Sequence, residues 1–281
     1  MNPLNLRRKF NRFRTLFTGR GRGHRPVLDT PSPSSSAPSP SSVDPSSRDI
    51  QSAASPPSMD PSTIKEKCGR FRILIIGRAN AGKTTILQRV CNTRENPEIY
   101  NSAGEKVGIM ILVRGEHDIE NEMVFRSNPR FVFHDSRGFE AGGQSEFNTV
   151  KAFIADRSKR TSLKDRLHVI WYCIPMNEAC RSFTEGEIKF FSHCDTGSIP
   201  VIVLFTKFDA LHTIEFAQLK RDGASRKDAK ELAPKRAEES FANGSQLKFL
   251  YNPNDIGRPP KCHVCLPSKP LNYRFMIYDD S

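Results

Sequence analysis

The stretch FRILIIGRANAGKTTILQRV, Phe71 to Val90, joins an apolar run broken only by Arg72 to two glycines five residues apart, a lysine and two threonines. A run that is apolar without alternation reads as a strand covered on both faces, and TTILQRVCN, with Ile86 and Val90 turned inward, reads as a helix. The turn between them has to redirect the chain within a few residues, and Gly77 and Gly82 supply backbone angles that side chains resist. A buried strand entering a helix through such a turn constrains the chain to an α/β architecture, in which ligand chemistry gathers at the carboxyl ends of the strands.

The rest of the chain repeats the alternation. NEMVF (121–125) and FVFHD (131–135) read as a hairpin pair, LHVIWYCI (167–174) and PVIVLFT (200–206) as core strands, and KCHVCL (261–266) as a last strand. Between them EFNTVKAFIADRSK, FTEGEIKFFSHC and a Lys-rich region after Asp209 read as helices. The fold expected is α/β of the P-loop NTPase type, a Ras-like domain with a mostly parallel sheet, one antiparallel strand, and helices on both faces.

This organisation begins only after residue 63. Residues 26–63 are dominated by Pro, Ser and Ala and read as a disordered linker, which leaves 64–281 as one α/β unit. Ahead of the linker, residues 1–25 hold eight arginines and lysines and no acid, so much of the formal charge of +12 belongs to this arm. Leu6, Phe10, Phe13 and Phe17 would share one helical face there, giving a short basic amphipathic segment. Three readings of the arm stand side by side: a solvated basic tail, docking on an anionic membrane surface, and a mitochondrial targeting peptide. The body lacks the basic and aromatic surface signature of nucleic-acid binding, and no specific nucleic-acid partner is expected. No apolar run approaches the roughly 18 residues that cross a bilayer, and the seven cysteines are odd in number and scattered. A reduced cytoplasmic location, membrane-peripheral if the arm docks, is the expectation.

The chemistry is carried by three strand ends. GRANAGKTT fits G-x-x-x-x-G-K-[ST], with Gly77, Gly82, Lys83 and Thr84; the loop residues Asn80, Ala81 and Gly82 and the helix start at Lys83, Thr84 and Thr85 would turn backbone N–H groups and the helix dipole onto an anion. Lys83 would reach β- and γ-phosphates, and the Thr84 hydroxyl would ligate Mg²⁺, a hard cation that prefers oxygen. In FVFHDSRGFEAGG, Asp135 ends a core strand where it could hold the same Mg²⁺, and Gly138 completes D-x-x-G with a backbone N–H able to approach a γ-phosphate. Asp135 could otherwise simply end a strand. In VIVLFTKFD, Thr206, Lys207 and Asp209 follow a third core strand; Asp209 suits a base edge with two N–H donors, as guanine has, and Lys207 can lie over the base. Taken alone, T-K-x-D would be an ordinary solvent-facing loop. Third in this order, it favours guanine over adenine. The ligands expected are GTP or GDP with Mg²⁺, and the two groups closest to catalysis are Lys83 and Gly138.

These residues resemble the G1, G3 and G4 motifs of the translation-factor-related class of P-loop GTPases. RILIIGRANAGKTTILQRVCN, RGEHDIENEMVF, FVFHDSRGFEAGG and VIVLFTKFDAL are similar to the expanded fungal G-domain proteins, distant relatives of the AIG1/Toc and septin-type GTPases. The resemblance covers about residues 70–266 and implies GTP binding in a Ras-like domain. The chain departs from the pattern in three places. No threonine occurs between Thr93 and Thr149, so the G2 threonine is missing and Ser102 is the one hydroxyl early in that loop. Phe139 stands where many relatives carry a glutamine that orients the attacking water, which implies slow hydrolysis and nucleotide-dependent association, including homodimerisation through the nucleotide face. After KCHVCL, Ser268 and Lys269 are weak candidates for the G5 contact and no final amphipathic helix is evident, so the domain reads as curtailed there.

The function expected is a GTP-binding switch or assembly module that hydrolyses GTP slowly to GDP and phosphate. A non-hydrolysing nucleotide-dependent binding protein is the alternative, and an ATPase or kinase, which leaves TKFD without a role, is the third reading. Cys262 and Cys265 form C-x-x-C but fall on opposite faces of a strand, so they read as core cysteines rather than zinc ligands. His134 reads as a satisfied core histidine. Glu116, His117 and Glu140 are unassigned switch-region candidates.

Overall fold

The computed structural model describes residues 69–107, 118–136, 144–178 and 183–268, with the backbone of 276–278. The basic arm, the linker, Glu116, His117, Gly138, Phe139, Glu140 and Lys269 lie outside the described residues.

The apolar run opens the fold as β1 (Phe71–Gly77), and the lysine of the glycine turn begins α1 (Lys83–Val90). Two short strands follow, β2 (Glu98–Tyr100) and β3 (Lys106–Val107), then β4 (Glu122–Phe125), β5 (Asn128–Asp135) and α2 (Gln144–Lys159). Beyond these lie β6 (Val169–Pro175), α3 (Glu185–His193), β7 (Val201–Thr206) and three helices, α4 (Asp209–Arg221), α5 (Arg226–Ala242) and α6 (Ser245–Leu250). The sheet is completed by β8 (Cys262–Leu266) and β9 (Met276–Tyr278).

The nine strands among the described residues form one sheet in the order β3-β2-β4-β5-β1-β6-β7-β8-β9. The five central strands pair in parallel, with Ile75 opposite Asp135, Gly77 opposite Cys173, and Thr206 opposite both Pro175 and Leu266. The carboxyl ends of β5, β1, β6, β7 and β8 therefore share one edge of the molecule. The chain leaves β5 through α2 and rejoins the sheet as β6 on the far side of β1, so the strand order reverses at β1. In open α/β sheets the ligand crevice lies outside such a reversal.

The expected antiparallel strand is β4, paired to β5. The sheet also carries antiparallel pairings at its borders, β2 with β3 and β4, and β9 with β8. These borders correct the expectation of one antiparallel strand: segments of two or three residues carry no hydrophobic period, and their pairing is set by turns. The turn between β2 and β3 is held by Asn101, whose side-chain oxygen accepts from the N–H groups of Ala103 and Glu105 at 3.0 and 2.9 Å. After β8, where the sequence reads as curtailed, the chain returns as the strand β9.

Burial on both faces of β1 is carried by alternate residues. Leu74 and Ile76 join a core with Phe147, Val150, Phe153 and Ile154 of α2, Phe190 and Phe191 of α3, and Phe241 of α5. Ile73 and Ile75 join the opposite core with Ile86 and Leu87 of α1. Each fully buried side chain of this size stabilises by about 1.5–3 kcal/mol, an upper estimate against an extended chain. In β8, His263 and Cys265 are buried while Cys262 is half-buried, the period-2 pattern that separates the two cysteines. Among the described residues no group of three His, Cys, Asp or Glu side chains is placed to hold a metal ion.

Candidate functional site

The two glycines of the turn do different work. Gly77 has φ of +144°, and a Cβ there would stand 2.2 Å from the carbonyl oxygen of Cys173 on β6. The residue is required by the sheet, since only a bare backbone passes so close to its neighbour. Gly82 has φ of +82° as the residue before α1, and a Cβ there would meet nothing within 4 Å. Its need is conformational, and the open space on its Cα is where an anion could approach the helix start. Asn80 also has positive φ, +57°, while Ala81 is buried and its N–H donates to the Arg78 carbonyl at 3.2 Å.

Lys83 curls back over this loop. Its Nζ donates to the Gly77 carbonyl at 3.2 Å and stands 3.8 Å from Asp135 Oδ1, an ion pair beyond hydrogen-bond length. Register places Asp135 beside Ile75, two residues before Gly77, so the parallel pairing brings lysine and carboxylate together. Burial pushes the Asp135 carboxyl up to about 6, with Lys83 pulling against it. Thr84 and Thr85 occupy the exposed first turn of α1 on the same edge.

Across β1 and β6, Thr206 ends β7 and Lys207 takes φ of +54°, a left-handed conformation uncommon for a lysine and typical of residues held at sites. Phe208 N–H donates to the Leu266 carbonyl at 3.0 Å, and Ser268 N–H donates to Asp209 Oδ1 at 2.6 Å. Partial burial raises the Asp209 carboxyl, and the Ser268 hydrogen bonds outweigh it, so Asp209 lies below the usual carboxylate range. An ionised carboxylate has about four lone-pair sites, so one bond to Ser268 leaves room for two further donors. The structure thus brings the T-K-x-D loop and the weak candidate Ser268 into direct contact.

Buried polar atoms are almost always hydrogen-bonded. Asp135 Oδ1, Ser136 Oγ and Thr206 Oγ1 are buried at the carboxyl ends of β5 and β7 with no hydrogen-bond partner among the described residues. An unsatisfied carboxylate oxygen of Asp135 beside Lys83, with an open glycine cradle, fits a hard cation and an anionic ligand.

Other sequence candidates fall elsewhere. Ser102 lies in the tight exposed turn joining β2 to β3, whereas β1 is separated from β2 by β4 and β5. The hairpin of β2 and β3, invisible to periodicity, sets Ser102 at the border of the sheet, offset from Lys83 and Asp135 by the width of β4 and β5. His134 is fully buried, with Nδ1 2.9 Å from the Ile119 carbonyl and Nε2 3.3 Å from an Arg72 nitrogen, the satisfied core role expected of it. One neighbour of the glycine turn has no local sequence signal. Arg78, directly after Gly77, is buried against Glu187 of α3, 109 positions away.

No family model matches the chain. It is similar to the probable Ras-related protein Rab-4A of Echinococcus multilocularis, 30% identical over 97 residues that take in 31% of this chain and 44% of that one. Among solved structures it aligns with a GDP-bound mutant of S. thermophilus NFeoB, at 15% identity over 51% of this chain and 46% of that chain, with a TM-score of 0.32. A second, the GDP-bound mutant S. thermophilus FeoB G-domain, aligns at 17% identity over 50% of this chain and 45% of that chain, with a TM-score of 0.30. The chain spans less than half the length of each of these proteins.

Proposed function

We propose that the chain binds guanine nucleotide at the carboxyl edge of β5, β1 and β7 and hydrolyses GTP slowly to GDP and phosphate, acting as a switch or assembly module. The observation that carries the reading is the convergence of Lys83, Gly77 and the orphaned Asp135 carboxylate at one strand end, with Asp209 at another end of the same edge. The partial similarity to a Ras-related protein points the same way.

In this reading the N–H groups of residues 80–84 and the start of α1 bind the phosphates, Lys83 neutralises them, and Asp209 accepts from the guanine edge with Lys207 beside the ring. Thr84 and Asp135 would hold Mg²⁺, which supplies charge neutralisation at the β- and γ-phosphates. Lys83 then exchanges its contact with the Gly77 carbonyl for a phosphate oxygen.

A second reading, nucleotide-dependent association without hydrolysis, is favoured by the place of Ser102: the hydroxyl available to replace the missing threonine sits at the sheet border. Single-turnover hydrolysis of GTP across a range of protein concentrations separates the two. Product formation that rises with concentration supports a GTPase completed by a second copy through the nucleotide face. Stable GTP at every concentration leaves the binding protein.

The base assignment is tested by Asp209→Asn. An amide N–H set against guanine loses at least one hydrogen bond, about one to two decades of affinity, while xanthine, with a carbonyl at position 2, gains an acceptor for it. Competition among GTP, ATP and XTP should move from GTP toward XTP. An unchanged profile would make TKFD an ordinary loop and return the site to the ATPase reading.

A further inference from the structure

The helix that begins at the phosphate loop ends on the base loop. Arg89, in the last turn of α1, donates from one terminal nitrogen to the Pro267 carbonyl at 3.1 Å and from the other to the Ser268 carbonyl. Ser268 in turn donates its N–H to Asp209 Oδ1. A basic residue in the last turn of a helix ordinarily serves the helix dipole or its own last carbonyls. Arg89 instead spends its planar fork on two successive carbonyls 178 and 179 positions away. The loop beyond β8 is thereby held from one side by Arg89 and pressed by its Ser268 N–H against the carboxylate on the other.

We propose that Arg89 is a positioning residue for base recognition: by fixing residues 267–268 it aims Asp209 and makes discrimination among purine bases depend on α1. The inference rests on the guanine-nucleotide reading above and adds a residue that does not touch the ligand. Its physical basis is the geometry of guanidinium. Two donors in one plane fix the orientation of a peptide segment, whereas a single point donor such as lysine fixes only its distance. Eight residues of α1 span about 12 Å, so one rigid element carries both Lys83 at its start and Arg89 at its end. Displacement of the phosphate end of α1 would be felt at the base end through this contact.

The test compares the full chain with Arg89→Ala, Arg89→Lys and Ser268→Pro, measuring competition by GTP, by ITP, which lacks the 2-amino group, and by inorganic tripolyphosphate. The expected result is a loss of about tenfold in the GTP-to-ITP affinity ratio for Arg89→Ala, a smaller loss for Arg89→Lys, and tripolyphosphate affinity unchanged in both. Ser268→Pro removes the N–H while keeping the two carbonyls that accept from Arg89, and should reproduce the loss without adding to it in the Arg89→Ala background. A GTP-to-ITP ratio unchanged in Arg89→Ala overturns the inference and leaves guanine binding standing. A parallel fall for all three ligands makes Arg89 a brace of the fold and overturns it too. An unmodified chain that prefers no guanine nucleotide removes the reading beneath it.

Discussion

Arg78 and Glu187 form a bidentate ion pair, with two hydrogen bonds of 2.8 Å between side chains only 5% and 1% exposed. The same carboxylate also accepts the Thr184 N–H at 2.8 Å, closing a capping box with the Thr184 hydroxyl at the start of α3. One buried side chain thus holds the residue after Gly77 and starts a helix on the other side of β6. Glu187→Gln removes the negative charge that faces the buried Arg78 guanidinium and should cost up to about 3–5 kcal/mol in urea denaturation. The double variant Arg78→Met, Glu187→Leu, which removes both charges, should be more stable than the single one. The reverse order would mean that the pair is solvated and does not brace the loop.

Asp135 predicts an opposition between stability and ligand binding. Its folded pKa, about 6, lies above the unfolded value of 3.8, so its favourable contribution is complete below pH 4 and lost as pH rises through 6. At pH 7.5 the ligand-free chain holds a buried carboxylate it would be more stable without. Asp135→Asn should raise stability there by up to about 3 kcal/mol and change it little at pH 4. In the same variant Mg²⁺-dependent nucleotide affinity should fall. In the unmodified chain that affinity should weaken up to tenfold per pH unit below 6, as the metal competes with a proton. Calorimetric titration at pH 5 and 7.5 reads both.

His134 acts with the opposite sign. Burial, with help from Arg157 and Arg72, lowers it to about 3, and it is fully buried among Ile119, Arg72 and the Phe153 ring. The unfolded chain takes up this proton near 6.5, so stability is present above that pH and is lost as pH falls toward 3, by up to about 1.4 kcal/mol per pH unit. Burial, with the nearby Arg166 and Arg72 charges, lowers His168 to about 4, and it adds to the loss. Unfolding midpoints from pH 7 to 4.5 should decline. His134→Gln should flatten that decline while lowering the midpoint at pH 7.

Most strands of the core were legible because a buried parallel strand writes itself as a continuous apolar run: 71–77, 200–206 and 261–266 lie within a residue of β1, β7 and β8. Asp135 and Lys83 were legible because each ends a recognisable element. The hairpin of β2 and β3 was not, since five strand residues held by an Asn101 turn have no period to read. Nor were Arg78–Glu187 and Arg89–Ser268, side-chain contacts between segments more than a hundred positions apart. Gly77 was legible as a glycine of the turn, where its φ is +144°; its second requirement, the close approach of the Cys173 backbone on the neighbouring strand, was not.

The two glycines give a direct comparison. Gly77→Ala sets a Cβ against the Cys173 backbone and should fail to yield folded protein, or unfold at far lower temperature. Gly82→Ala meets no atom within 4 Å and carries only the left-handed strain of about 1–2 kcal/mol. It should fold, with a native circular dichroism spectrum, and lose triphosphate binding. Retained binding in folded Gly82→Ala would move the anion site away from the start of α1.

The contact between Gly77 and Cys173 also bears on how such a chain could drift. A descendant freed from any need for nucleotide could exchange Gly82, Lys83 or Thr84 and keep its shape, yet it could not exchange Gly77 without losing the weave of β1 and β6. The first glycine of the motif would therefore outlast the activity, and its presence in a relative would testify to ancestry of the fold rather than to a working site.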